Sequence, residues 1–183
     1  MLQDLWTVGH STRSFPDFLA LLHAGEIRVL VDVRRYPVSR RHPQFNMEAL
    51  STTLPDHGIE YRPMGDLGGR RKALPDSVNR GWRNESFRGY ADYMQTDAFR
   101  QVLEDLLSLA AAARTAIMCA EAVPWRCHRS LISDAVVSRG WKVHHILSRD
   151  QVDPHTLCAF AKTDGSLLTY PAPDGTIREP RLF

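Results

Sequence analysis

The stretch LWTVGHSTRSFPDFLALLHAGEIRVLVDV, residues 5–33, predicts two β-strands joined by an α-helix. Its first and last apolar runs are typical of buried strands, and the last is continuous and rich in valine, as in strands covered on both faces. Between these runs, apolar residues recur at helical spacing, with Ser14 as a candidate N-cap and Gly25 as a candidate stop. A strand, a helix and a strand within about 30 residues form a right-handed βαβ unit, so the two strands are parallel.

The same alternation of strands and helices continues through most of the chain. It predicts a three-layer α/β/α sandwich with a mostly parallel, Rossmann-like sheet. The further predicted elements are a helix from Asn46 towards Leu54, strands at 59–62, 116–118 and 142–147, two helices between 87 and 113, and a helix at 131–137. After these, the weaker pattern predicts a short helix over 154–162 and a hairpin turned at Asp174 and Gly175.

The composition is that of a globular protein. Of 183 residues, 43% are hydrophobic and 24% are charged, which excludes a disordered, collagen-like or disulfide-scaffold protein. We therefore treat 1–183 as a single α/β domain, with a core at 5–147 and a C-terminal extension at 148–183.

Three features predict a cytoplasmic protein with reduced thiols. The number of cysteines, three, is odd, the N-terminus has no basic and apolar leader, and no apolar run approaches the roughly 20 residues that a membrane span needs. We therefore expect no membrane partner, while the oligomeric state stays open.

Basic residues cluster in two places although the formal net charge is only +2. Between Arg34 and Gln44 there are four arginines and a histidine without an acid, and a second basic run starts at Arg70. The clusters are read either as solvated loops or as a concave anion site, because the planar guanidinium matches phosphate and carboxylate oxygens. The second run lies in a polar loop from Met64 to Glu85, which is long enough to predict a loop that covers a binding site.

Polar side chains follow the predicted strands at the points where the strands end. In open parallel sheets, ligands bind outside the carboxyl ends of the strands, so we expect these side chains to share one cleft. They are His10 and Ser11 after the first strand, Asp32 and Arg34 after the second, and Cys119 and Glu121 after the fourth, with Cys127, His128 and Arg129 opening the next helix.

The stretch CAEAVPWRCHR, residues 119–129, concentrates reactive groups between a strand and a helix. A thiol at a helix N-terminus near guanidiniums is stabilised as a thiolate, which makes Cys127 a candidate nucleophile. Buried cysteine also occurs as a small hydrophobic residue, and this is the expectation for Cys158 and an alternative for Cys119.

The same stretch allows two kinds of site. Thiols, a carboxylate and imidazoles could bind zinc or iron, through Cys119, Glu121, Cys127, His128 and His10. Neighbouring residues on a helix point about 100° apart, however, which separates Cys127 from His128. We therefore predict an anion site at the N-terminus of a helix that starts near Cys127, with no metal and no cofactor.

Five stretches together resemble a known family. They are TVGHS at 7–11, DVRRYPVSRRHPQFN at 32–46, LGGRR at 67–71, FRGYADYM at 87–94 and CAEAVPWRCHRSLI at 119–132. In order and spacing they resemble the bacterial and archaeal family called domain of unknown function 488, over about residues 5–147. The name of the family carries no activity. The resemblance implies that the motif positions, which coincide with the predicted strand ends, form a shared site.

The first functional hypothesis is an enzyme that acts on a phosphorylated small molecule, such as a nucleotide or nucleoside derivative. Glu121 is its candidate general base or nucleophile, with Asp32 or His10 as partner, and Cys127 is the alternative nucleophile. Hydrolysis and group transfer both stay open. The substrate anion would contact Ser11, Arg34, Arg40, Arg70, His128 and Arg129, with Tyr90 or Trp125 as a stacking surface.

Two alternatives to the enzyme stay open. One is a nucleic-acid-binding accessory protein, whose loops at 34–42 and 70–88 would combine basic residues with Tyr36, Trp82, Phe87 and Tyr90. The other is a metal-binding protein that uses the cluster of cysteines, Glu121 and His128. We favour the enzyme because a nucleic-acid-binding module has no evident need for such a cluster.

Overall fold

The computed structural model describes residues 3–165 and 167–172. Its main sheet has six strands in the order β3-β2-β4-β1-β5-β6, in which only the β5–β6 pair is antiparallel. The strands are β1 Asp4–Gly9, β2 Val29–Asp32, β3 Glu60–Pro63, β4 Thr115–Cys119, β5 Lys142–Ile146 and β6 Val152–Pro154. The helices are α1 Phe15–Ala24, α2 Met47–Asp56, α3 Glu85–Tyr93, α4 Asp97–Ala112 and α5 Arg129–Val137. Short 3-10 helices occupy Pro43–Phe45, Gly65–Leu67 and Pro124–Arg126.

The predicted start of the helix α1 is confirmed. Ser14 caps α1 by accepting a hydrogen bond from the Asp17 backbone N–H, and Gly25 follows the last residue of that helix. Thr96 caps α4 in the same way, through the backbone N–H of Phe99. These caps satisfy backbone donors that a helix start leaves without an intrahelical partner.

Alternate residues of the buried strands face two separate apolar cores, which confirms the α/β/α sandwich. On one face, Val31 and Ile117 pack in a core that includes residues of α3, α4 and α5. On the other, Leu30 and Met118 pack in a core that includes residues of α1 and α2. The strand order differs from the 3-2-1-4-5-6 order of dinucleotide-binding sheets because β4 and β1 exchange places. Among the described residues, no helix is both long and apolar enough to cross a membrane.

The predicted helix over 154–162 is wrong. Pro154 ends the strand β6, and the backbone donors that follow bond to distant parts of the chain. The His155 N–H donates to the Val143 carbonyl over 2.8 Å, and the Cys158 N–H donates to the Asp134 carboxylate over 3.0 Å. A small hairpin then pairs β7 Lys162–Asp164 with β8 Leu167–Thr169. The hairpin predicted at Asp174 and Gly175 falls outside the described residues.

The start of α5 was also predicted too early. Cys127 has an extended backbone (φ −136°, ψ 148°) after the 3-10 turn, and its N–H donates to the Pro124 carbonyl over 2.9 Å. His128 is the N-cap, and the helix begins at Arg129. Cys127 and His128 therefore do not have the helical relationship that the sequence analysis assumed.

The close approach of two chain segments at the end of β1 requires glycine at position 9. A methyl group added there would lie 1.8 Å from the Glu121 carbonyl oxygen. We therefore expect Gly9→Ala to lower the free energy of unfolding by about 1–3 kcal/mol or more, as overpacking does. Urea denaturation measures this change. The matched control is Gly65→Ala, whose added methyl group would lie 3.7 Å from its nearest neighbour; an equal loss in both variants would contradict the steric explanation.

Candidate functional site

A cavity of about 590 Å³ opens at the carboxyl edge of the sheet. Its wall is built from the segments that follow β1, β2 and β4, together with parts of the loop after β3 and of the turn before α5. The wall includes the side chains of His10, Ser11, Arg34, Arg35, Tyr36, His42, Arg70, Cys119, Glu121 and His128, and Gly69 also lines it. We call it the basic cavity.

Positive charge dominates the wall of the basic cavity. Three arginines and three histidines line it, whereas Glu121 is its one carboxylate among the residues that the structure describes. The guanidiniums of Arg35 and Arg70 lie 5.9 Å and 5.8 Å from the ring centre of the exposed Tyr36. The wall therefore offers donors for an anion beside an aromatic face.

Asp32 and Arg34 form a buried ion pair under the basic cavity. The Arg34 side chain donates to both Asp32 carboxylate oxygens, from Nε over 2.8 Å and from NH2 over 2.6 Å. The Tyr61 hydroxyl donates to the same carboxylate over 2.6 Å, and burial, followed by the charge of Asp32, raises the pKa of Tyr61. Asp32 does not line the cavity, so its carboxylate serves to hold Arg34 in the wall.

His10 is neutral and has no free ring nitrogen. Its Nδ1 donates to the Ser11 carbonyl over 2.8 Å, because a carbonyl can only accept. Its Nε2 therefore accepts from Arg34 NH1 over 3.2 Å. Burial, and to a smaller degree the Arg34 charge, lower the pKa of His10 to about 4. The ring also stacks on Phe45 at a centroid distance of 4.3 Å, so a role as proton acceptor for Glu121 would require these contacts to break.

Glu121 lines the basic cavity and is exposed. Its carboxylate forms no ion pair with Arg126 or Arg129 within the described part of the chain. Instead, the Glu121 backbone carbonyl accepts from Arg129 NH2. The carboxylate is thus available to groups that enter the cavity.

Two thiols and an imidazole meet beside the basic cavity. The Sγ atoms of Cys119 and Cys127 and a ring nitrogen of His128 all lie within 4.8 Å of one another. Cys127 Sγ lies 3.6 Å from His128 Nδ1. His128 Nε2 lies 3.0 Å from the Val33 carbonyl oxygen, which places a proton on Nε2. In the neutral ring, the Nδ1 lone pair therefore faces the thiols. We call these three residues the thiol–imidazole cluster.

The two thiols of this cluster differ in acidity. A hydrogen bond from Cys119 lowers the pKa of Cys127 well below its usual value, and His128 and Arg129 act in the same direction against the effect of burial. The same hydrogen bond and burial raise the pKa of Cys119. Cys127 is therefore the more acidic of the two thiols.

Arg129 lies beneath the loop that follows β4 and is 1% exposed. NH1 contacts the Thr7 hydroxyl at 3.5 Å, NH2 contacts the Glu121 carbonyl, and Nε has no partner in the described part of the chain. Among the described residues, no carboxylate pairs with it. A buried cation in this state is costly, so negative charge on the neighbouring thiols is favoured.

The family model described as "Domain of unknown function DUF488" matches residues 14–136. The chain belongs to this family. No curated protein and no solved structure matches it. The predicted family is thereby confirmed; four of the five motifs lie within the matched residues, TVGHS at 7–11 precedes them, and the family description states no activity.

Several predicted site residues of this DUF488 protein lie outside the basic cavity. Tyr90 is fully buried, its hydroxyl donates to the Leu67 carbonyl over 2.7 Å, and its ring packs behind His128, so its prediction as a stacking surface is wrong. Arg40 is exposed and does not line the wall, and Trp125 is exposed at another cavity. Arg129 and Cys127 lie behind the wall.

Sequence reasoning missed parts of the wall that lie next to predicted positions. Arg35, Tyr36 and His42 belong to the basic run after β2, for which an anion site was one of two readings, but none of the three was predicted to contact the substrate anion. In the loop from Met64 to Glu85, Gly69 and Arg70 reach the wall. Residues 74–79 do not cover it, because Asp92 of α3 holds them through the Leu74 N–H and the Ser77 and Asn79 side chains.

This DUF488 protein also contains a buried series of hydrogen bonds that could not be predicted from the sequence. Thr7 Oγ1 contacts His145 Nδ1 at 2.8 Å, and His145 Nε2 contacts His155 Nδ1 at 2.9 Å. His155 Nε2 then donates to Asp134 over 2.8 Å. The series links the surroundings of Arg129 to a second cavity of about 460 Å³, which Asp134, His145 and His155 help to line.

Proposed function

We propose that this DUF488 protein is an enzyme that acts on a phosphorylated small molecule bound in the basic cavity. The observation that carries the proposal is that the wall holds three guanidiniums, those of Arg34, Arg35 and Arg70, against a single carboxylate within the described residues. Guanidiniums bind phosphate through paired, charge-assisted hydrogen bonds. The volume of about 590 Å³ suits a small ligand. Tyr36 beside Arg35 and Arg70 offers a face on which a nucleotide base could stack.

Two groups are candidates for the reacting side chain. Glu121 is exposed on the wall and is suited to act as a general base on water or on a substrate hydroxyl. Cys127 is favoured as a thiolate, but it lies behind Cys119 and is 4% exposed. The exposed position of Glu121 favours catalysis by a general base over attack by the buried Cys127 thiolate. A general base is consistent with both hydrolysis and group transfer. Asp32 and His10 position Arg34 in this scheme.

A double substitution of wall arginines tests the anion site. We expect Arg35→Ala with Arg70→Ala to weaken binding of a mononucleotide or of inorganic phosphate by about 10–100-fold, because a hydrogen bond to a charged group contributes about 1.5–3 kcal/mol. Isothermal titration calorimetry measures the change. Arg40→Ala with Arg41→Ala is the matched control, since it removes two exposed guanidiniums outside the wall. Equal losses in both proteins would show that general surface charge, and not the cavity, attracts the anion.

Binding of nucleic acid is the second candidate function. The observation that favours it is the exposure of Arg40 and Arg41 in the same segment as the exposed Tyr36. Contacts with many phosphates make affinity fall steeply with salt, whereas a mononucleotide releases few counterions. Oligonucleotide binding with a steep salt slope, and no binding of mononucleotides, would favour this candidate.

The location of the protein stays a prediction. The odd number of cysteines, which are expected to be reduced, predicts the cytoplasm.

A further inference from the structure

We propose that Cys119, Cys127 and His128 bind a zinc ion, with the fourth coordination position open to the basic cavity. From the sequence, an anion was favoured at this place because helical geometry would separate Cys127 from His128. That reason does not hold in the structure, because Cys127 is extended and the helix begins only at Arg129. The zinc site does not depend on the proposed substrate.

The spacing of the ligand atoms fits a tetrahedral zinc site. Zinc lies about 2.3 Å from thiolate sulfur and about 2.0–2.1 Å from imidazole nitrogen, so the sulfur–nitrogen edge of the tetrahedron is about 3.6 Å. Cys127 Sγ and His128 Nδ1 are 3.6 Å apart. The sulfur–sulfur edge is about 3.8 Å by the same reasoning, and all three atoms lie within 4.8 Å of one another. An ion can therefore enter with small rotations of the side chains.

The surroundings of His128 are those of a metal-binding imidazole. Its Nε2–H donates to the Val33 carbonyl over 3.0 Å, which fixes the tautomer and turns the Nδ1 lone pair to the sulfur atoms. A backbone carbonyl is a common outer partner of histidines that bind metals, because it orients the ring and raises its basicity. The ring of the buried Tyr90 packs against His128 at a centroid distance of 5.1 Å and limits its movement.

The proposed zinc site has the buried cation of Arg129 as its neighbour. Zinc requires both cysteines as thiolates, and the buried Arg129 cation has no carboxylate partner among the described residues. A zinc ion with two thiolates is neutral, and an anion as fourth ligand gives the site one negative charge. That charge would balance Arg129.

The fourth position faces the place where the proposed substrate would bind. Cys119 and His128 line the basic cavity, whereas Cys127 lies behind it. Three protein ligands and one open position are typical of catalytic zinc, while structural zinc has four protein ligands. With zinc present, Cys127 is a ligand and Glu121 is the remaining candidate base. This last step rests on the proposed function, whereas binding of zinc itself does not.

Metal binding can be tested on the full chain without any substrate. The protein is reduced with a non-thiol reductant, stripped of metal and titrated with Zn²⁺ alone in competition with a chromophoric chelator. We expect one equivalent of zinc per chain. Titration with Co²⁺ should give the thiolate-to-cobalt charge-transfer absorption and the intense visible bands of a tetrahedral site. This spectrum needs no variant, so it is informative even if a substituted protein fails to fold.

Variants identify the ligands. Cys119→Ser, Cys127→Ser and His128→Ala are each expected to weaken zinc binding by at least about 100-fold, more than the roughly 10–100-fold that loss of an outer partner costs. Cys158→Ser is the control, because Cys158 lies at the second cavity. A reduced wild-type protein that binds no zinc, or equal affinity in Cys119→Ser and Cys158→Ser, would overturn the proposal. Phosphate titration of the metal-free protein tests the anion site separately.

Discussion

Replacing Asp32 by asparagine is expected to lower the free energy of unfolding by about 3–5 kcal/mol, the usual cost of removing one partner from a buried ion pair. The carboxylate accepts hydrogen bonds from the Arg34 backbone N–H, from the Arg34 guanidinium and from the Tyr61 hydroxyl. Asparagine removes the negative charge. It also replaces one carboxylate oxygen by an NH2 group, which is a donor and faces the donor N–H groups of Arg34. The buried guanidinium is then uncompensated. Urea denaturation at neutral pH measures the loss of free energy of unfolding. The dependence of this free energy on urea concentration is compared between the variant and the wild type.

The neighbouring strand β3 supplies a matched control. Glu60 and Arg62 also pair across two positions of a strand, but their side chains are 48% and 56% exposed. We expect Glu60→Gln to cost about 0–1 kcal/mol, because water solvates both groups after the pair is broken. Comparable losses for Asp32→Asn and Glu60→Gln would show that burial does not set the difference. Circular dichroism of the folded proteins verifies that both variants retain the sheet.

The sequence predicted the layers of the fold because their signals are local. The continuous apolar run at 29–33 and the helical repeat before it depend only on residues near in the chain, and both elements occur as predicted. The shared edge of the site followed from the same signals, since carboxyl ends of parallel strands lie on one side of a sheet. His10, Arg34, Cys119 and Glu121 therefore meet at one cavity although they are distant in sequence.

The depth of each side chain at that edge could not be predicted, because it depends on contacts between distant segments. Tyr90 was expected to face a ligand. Its hydroxyl instead donates to the carbonyl of Leu67, 23 positions earlier in the chain, and its ring is buried. The start of α5 depends on the 3-10 turn at Pro124–Arg126, which sequence periodicity does not distinguish from a first helical turn. That difference of two residues decides whether Cys127 and His128 diverge or converge.

The hydrogen-bond chain from Thr7 to Asp134 is a further case of long-range order. Its members come from β1, β5, the segment after β6, and α5, and the two histidines bond to each other only after these elements pack. Burial, followed by the charges of His155 and Arg129, lowers the pKa of His145 to about 3. His145 is therefore neutral in the folded protein at every pH at which the protein is expected to work.

Acid is expected to destabilise the protein through this histidine before its carboxylates are protonated. In the unfolded chain an imidazole has a pKa of about 6.5, and in the folded protein that of His145 is about 3. Between these values only the unfolded state takes up the proton, so the contribution to stability is complete above pH 6.5 and is lost as the pH falls towards 3. The slope approaches about 1.4 kcal/mol per pH unit for one proton, or on the order of 3 kcal/mol between pH 6.5 and pH 4. His10, whose pKa is lowered to about 4, adds a second proton over most of this range.

Urea denaturation at half-unit steps from pH 7.5 to pH 4.5 measures the slope, and His145→Gln isolates the contribution of His145. We expect the variant to be less stable at neutral pH, because contacts with Thr7 and His155 are lost, but to lose less stability as the pH falls. The two curves should therefore converge in acid. His23→Gln is the control, since it removes an exposed imidazole from α1. Parallel curves for His145→Gln and wild type would mean that His145 takes up its proton in both states, and the acid sensitivity would then have to come from His10 and the carboxylates.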